Sequence, residues 1–99
     1  MQSWYPAQFE REMGCTAAEL RERLPGACGD RALELFAGGA EVAIGEGTMH
    51  LEWHTLAPRR IALLNMPRLA VSFRFEGVDA ATRQKVMRYF DLFTQRGGG

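Results

Sequence analysis

The residues of this chain best suited to chemistry fall in one pentapeptide, His50-Leu51-Glu52-Trp53-His54. Imidazole and carboxylate groups bind metal ions and carry protons. In an extended strand, residues two apart share a face at about 6.6 Å, so His50 and Glu52, or Glu52 and His54, could share an ion. His50 and His54 would then lie about 13 Å apart, too far for one ion to bind both. A helix would bring the two imidazoles together, but Trp53, Thr48 and Thr55 favour strand. The order also departs from the H-E-x-x-H of a metalloprotease, its glutamate displaced by one position. A metal site built on His50, Glu52 and His54 therefore needs a further ligand from elsewhere. The plain alternative is the solvated face of an amphipathic strand.

Two other groups of residues suggest binding. Arg59, Arg60, Arg68 and Arg74 come from expected turns and a strand, and if they converged they would attract a phosphate, a carboxylate or an acidic protein. Trp4 and Tyr5 form an aromatic pair near the start, suited to cap the core or to give a partner a hot spot. The chain ends Gly97-Gly98-Gly99, and a tail without side chains can thread into a narrow active site. No G-x-S-x-G, Walker or dinucleotide-binding motif occurs. Cys15 and Cys28 match no metal-ligand spacing and are expected to be free structural thiols. The chain is thus expected not to be an enzyme and to need no cofactor.

The elements that must position these residues follow from periodicity. Pro6 to Met13 is expected to be a short helix, with Phe9 and Met13 one turn apart and Gly14 as its stop. Thr16-Ala17-Ala18-Glu19 is a capping box, with Cys15 and Leu20 as its hydrophobic staple. Leu20 and Leu24 face the core, and Pro25-Gly26 should end this second helix. From Ala32 to Glu76 the apolar period becomes two. Turns are expected at Gly38-Gly39, Gly45-Glu46-Gly47, Ala57-Pro58-Arg59 and Pro67-Arg68. Short connections make strand neighbours antiparallel, which gives a four- or five-stranded meander with one apolar and one polar face. Asp79 should cap a last helix running to about Gln95, with Val86, Tyr89, Phe90 and Phe93 as its apolar stripe. Arg83, Lys85, Arg88 and Asp91 lie off that stripe. The architecture that follows is an α+β two-layer sandwich: an N-terminal helical pair and a C-terminal helix packed on the apolar face of the sheet.

In the order of its elements, the chain resembles the frataxin-type sandwich, an iron-associated fold. It departs from that pattern in lacking a dense acidic ridge, since Glu10, Glu12, Glu19 and Glu22 spread over two short helices. Its last residues are similar to the Gly-Gly ends of ubiquitin-like modifiers and sulfur carriers. Those families place a strand before the tail where a helix is expected here.

Ninety-nine residues suffice for one core, so residues 1–96 are expected to form a single domain followed by the glycine tail. Hydrophobic residues make up 46% and charged residues 24%, the balance of an ordinary soluble globule. No apolar run reaches the length of a membrane span and no signal-like start precedes the domain, so a cytoplasmic protein without membrane contact is expected. Twelve basic and twelve acidic residues cancel, which argues against nucleic acid as a partner. The charges are unevenly spread: residues 1–52 carry nine acids against four arginines, and residues 53–99 carry eight bases against three acids. These features predict a small binding or accessory protein that acts through another protein. A carrier activated at Gly99 and a metal-binding protein using the His50/Glu52/His54 face are the alternatives. An exposed edge strand could also pair two copies into a homodimer.

Overall fold

The computed structural model describes residues 4–96. In chain order it contains β1 (Gln8–Met13), α1 (Ala17–Ala27), β2 (Leu33–Phe36), β3 (Gly39–Ile44), β4 (Gly47–Ile61), β5 (Leu64–Glu76) and α2 (Ala80–Arg96). The five strands form one antiparallel sheet in the order β1-β5-β4-β3-β2. Strands β2 to β5 are the expected meander, and β1 is added on the far side of β5. The helices cover one face, which gives the expected α+β sandwich.

The N-terminal helical pair is corrected to a strand and one helix. Residues Gln8–Met13 pair with β5, from Gln8 opposite Arg74 to Met13 opposite Leu69. Phe9, Arg11 and Met13 point inward while Gln8, Glu10 and Glu12 point out. A spacing of four between Phe9 and Met13 fits one helical turn and two strand repeats equally well. The intervening inward residue is an arginine, so the period of two was concealed by its charge.

Helix α1 starts as expected. The Glu19 amide donates to Thr16 Oγ1 at 3.1 Å, and the Thr16 amide donates to Glu19 Oε1 at 2.8 Å. Pro25 and Gly26 lie within its last turn rather than beyond it, and the Cys28 amide closes the helix on the Leu24 carbonyl. A proline at this point forfeits one backbone bond near the helix end, where the next turn is not required.

The core consists of the inward residues of the sheet (Val42, Met49, Leu51, Val71 and Phe73 among them) beneath Leu20, Leu24, Met87 and Phe90. Phe73 stacks on Phe9 with centroids 4.8 Å apart and meets the edge of Phe90 at 5.4 Å. Asp79 Oδ1 accepts the Thr82 amide at 2.7 Å and caps α2 as expected. The buried side of α2 is rotated from the expected stripe: Val86, Met87, Phe90, Asp91 and Thr94 are buried, and Tyr89 is largely exposed. Asp91 lies under the helix because Tyr5 and Arg11 meet it there. Among the described residues, no helix is long and apolar enough to cross a membrane.

The turns expected at Ala57-Pro58-Arg59 and Pro67-Arg68 do not form. Strands β4 and β5 instead run on together to Ile61 and Leu64 and turn at Ala62-Leu63. A register shift between Leu56 and Arg59 absorbs Pro58, and Arg68 Nη1 donates to the Ala57 carbonyl at 3.1 Å. Beyond Glu52 strand β4 has no further register with β3, and before Leu69 strand β5 has none with β1. Each proline therefore sits on a free edge, where a missing N–H costs no ladder bond. The outcome is a two-stranded ribbon over residues 55–68 that projects from the sheet and lengthens the molecule to 46 Å, against 29 and 21 Å in the other directions.

Candidate docking surface

The outer face of the sheet is polar because every second residue of each strand points away from the helices. Cross-strand register arranges these residues in rows. Gln8, Arg74, His50, Glu41 and Glu34 form one row across all five strands. Glu10, Ser72, Glu52, Gly39 and Phe36 form the next. Outside these rows, Glu76 stands beyond one end, and Glu12 and His54 flank Ala70 at the other. Six carboxylates (Glu10, Glu12, Glu34, Glu41, Glu52 and Glu76) thus share a face with three guanidiniums, Arg59, Arg68 and Arg74. The face is acidic.

The pentapeptide is a strand, and His50, Glu52 and His54 do project together. His50 Nε2 lies 3.0 Å from Glu76 Oε1, and Nδ1 lies 3.6 Å from Glu41 Oε1, so both ring nitrogens meet carboxylates. Glu52 and His54 are exposed. Among the described residues, no group of three or more His, Cys, Asp and Glu is placed to hold a metal ion. Among the shallow depressions of the face, two lie beside Glu52. One, of about 610 Å³, lies over Glu10, His50, Glu52, Ser72 and Arg74. The other, of about 310 Å³, lies over Phe36, Gly39, Glu41 and Glu52. Ser72 donates to Glu10 at 3.0 Å within the first. In the second, the exposed Phe36 ring stands opposite Gly39, which is itself buried.

The ribbon continues this face with a different surface. Arg59 stands opposite Met66 and Ile61 opposite Leu64, with Arg60 opposite Asn65 on the reverse side. Leu63 at the tip is 102% exposed, Leu64 65%, Ile61 52% and Met66 46%. Glu12 anchors the ribbon base, with Arg68 Nη2 at 2.8 Å and Arg59 Nη2 at 3.7 Å. The Arg68 hydrogen bond holds the Glu12 carboxyl below its ordinary range. Ala62 adopts a φ of 54°, the left-handed region that hairpin turns ordinarily fill with Gly or Asn. The tip therefore keeps an apolar, slightly strained sequence where turn chemistry alone would choose another.

The remaining proposed binding residues divide. Arg74 stands on the acidic face, 3.7 Å from Glu76. Trp4 is exposed beneath the Arg83 guanidinium, 5.8 Å from the ring centroid. Of the two roles open to Tyr5, it takes the core one and is not part of a binding surface. It is fully buried: its amide donates to Gln84 Oε1, its carbonyl accepts from Arg83 Nε and Gln84 Nε2, and its hydroxyl donates to Asp91. Burial, and then the Asp91 carboxylate, push its phenol from 10 up to about 12. Cys15 and Cys28 are free and buried, and burial pushes the Cys28 thiol up to about 11. Gly97, Gly98 and Gly99 lie outside the described residues.

Sequence reasoning missed the ribbon and the part-buried Arg11–Asp91 pair. The ribbon had one signal: neither Pro58 nor Pro67 has a neighbouring Gly, Asn or Asp, the residues that usually complete a tight turn. Asp91 had another, since Met87, Phe90, Asp91 and Thr94 are themselves spaced as a helical stripe. Compared with family models, curated proteins and solved structures, the chain matches none.

Proposed function

We propose that this chain is a small non-enzymatic binding protein that acts through protein–protein contact, with the 55–68 ribbon as the element a partner covers. One observation carries the reading: Ile61, Leu63, Leu64 and Met66 are exposed together at the end of a projecting ribbon. Four scattered exposed apolar residues would need no explanation, but a contiguous set marks an interaction site. A ribbon of two strands is marginal in water by itself, so a covering partner also stabilises it. Burying Leu63 completely is worth about 1.5–3 kcal/mol. The flanking Arg59 and Arg60 favour a partner with an acidic rim and steer the encounter. Free, buried Cys15 and Cys28 accord with a cytoplasmic setting.

The test is a photo-crosslinking residue at position 63 of the full chain, expressed in its own host. The expected result is a discrete protein adduct from position 63 and none from a control at Glu46, an exposed turn residue of the β3–β4 hairpin. Equal labelling from both positions, or none from either, removes the reading.

A further inference from the structure

Resting on that reading, we infer that the partner covering the ribbon is a second copy of this chain, in a two-fold dimer where each ribbon lies across the acidic sheet face of the other. Charge complementarity selects this occupant. The ribbon presents Arg59 beside Ile61, Leu64 and Met66, and Arg60 on its reverse side. The sheet face presents Glu34, Glu41 and Glu52 around the exposed Phe36 ring. An apolar strip with arginines thus meets an exposed aromatic ring rimmed by carboxylates, and both surfaces belong to the same molecule.

The dimensions agree. From Leu56 to Leu63 the ribbon extends about 20 Å, and β5 from Ala70 to Glu76, which crosses the sheet face, also extends about 20 Å. Stacked sheets pack about 10 Å apart, so one ribbon fits as a layer over the other copy's face. The arrangement is reciprocal. If one ribbon contacts the partner's face, the two-fold axis places the partner's ribbon on the first face, and the assembly closes at two.

Other ways of joining two copies are disfavoured by the same residues. Pro58 and Pro67 remove donors from the free edges of the ribbon, and Arg59 and Arg60 put like charges there, which opposes adding a strand edge to edge. Two ribbons laid side by side would bring four arginines together. A ribbon on the acidic face avoids both problems.

The experiment is sedimentation equilibrium of the untagged full chain at micromolar concentrations, with helix content and melting measured for every variant. The wild type is expected at twice its 11.1 kDa chain mass. Leu63→Asp/Leu64→Asp is expected to weaken self-association at least tenfold and keep the fold, because both side chains are exposed. Arg59→Glu/Arg60→Glu and Glu41→Lys/Glu52→Lys are each expected to be monomeric, since ribbon and face then repel within each variant. Mixing them restores both contacts and is expected to yield a one-to-one heterodimer. A wild type at single-chain mass throughout overturns the inference, as does a dimer indifferent to these changes or a mixture that stays monomeric. Tip-dependent cosedimentation of the monomer with anionic phospholipid vesicles would also overturn it, in favour of a membrane surface. The crosslinking experiment separates the two levels. An adduct at twice the chain mass agrees with both, an adduct to a different protein leaves the binding reading and overturns the dimer, and no adduct removes both.

Discussion

Asp91→Asn tests the polar contact that ties α2 to the edge of the sheet. The Asp91 carboxylate is buried and accepts from Arg11 Nη1 at 2.6 Å, from Arg11 Nη2 at 3.4 Å and from the Tyr5 hydroxyl. The Arg11 guanidinium is held under aromatic faces, 5.2 Å from the Phe73 centroid, 5.5 Å from Phe9 and 6.0 Å from Tyr5. Asparagine keeps the shape but removes the charge, leaving the guanidinium without its counter-ion. Breaking a fully buried ion pair costs about 3–5 kcal/mol. The Arg11 side chain is 23% exposed and keeps some hydration. The expected loss is therefore smaller, about 2–3 kcal/mol. For a domain of this length it lowers the melting midpoint by about 10–20 °C. Urea unfolding at neutral pH, followed by circular dichroism, measures the loss, with the denaturant slope expected to stay constant. Arg11→Met should destabilise for the mirror-image reason, and the double variant should lose less than the two singles together by at least ~1 kcal/mol. Asp91→Asn within about 0.5 kcal/mol of wild type, the range of an ordinary surface change, would refute the reasoning. So would an additive cycle.

Tyr5 gives the same region an alkaline signature. Its folded value of about 12 lies above the ordinary 10, so its contribution to stability is complete below pH 10 and is lost as pH rises from 10 through 12. Stability measured across that window should fall more steeply in wild type than in Tyr5→Phe; parallel curves would contradict the assignment. At Gly47 an added Cβ would lie 2.3 Å from the Gly77 carbonyl oxygen and 2.5 Å from that of Glu76. Both neighbours are backbone, so Gly47→Ala should cost about 1–3 kcal/mol in urea unfolding, and a neutral outcome would mean the strands can separate there freely. Cys28, its thiol raised to about 11 by burial, should resist thiol-specific labelling in the native protein and react when unfolded. Rapid native labelling mapped to Cys28 by mass spectrometry would show that the α1 end opens.

Local chemistry made much of this protein legible before its structure. The capping box needs only residues three apart, and the Thr16–Glu19 pair forms as the pattern implies. Alternation from Leu33 to Glu76 identified the sheet, and with it the common face of His50, Glu52 and His54. Where the reading failed, a distant partner had reversed a local preference. Arg11 interrupts an apolar alternation and reads as an outward residue until Asp91, eighty positions later, neutralises it inside. Pro58 and Pro67 read as turns because proline breaks a ladder; whether a neighbouring strand is present to require that ladder depends on the lengths of β1 and β3.

From Thr16 onward, local pattern was enough to set the element types, the polarity of each sheet face and the uneven distribution of charge, because these depend on neighbours within one or two turns of chain. Which surfaces those charges share follows from the fold alone. Register across the five strands collects Glu10, Glu34, Glu41, Glu52 and Glu76 on one face, and the early ends of β1 and β3 leave residues 55–68 as a projecting ribbon with arginines and bare leucines. Such juxtapositions depend on pairing between residues far apart in the chain, which no local pattern encodes.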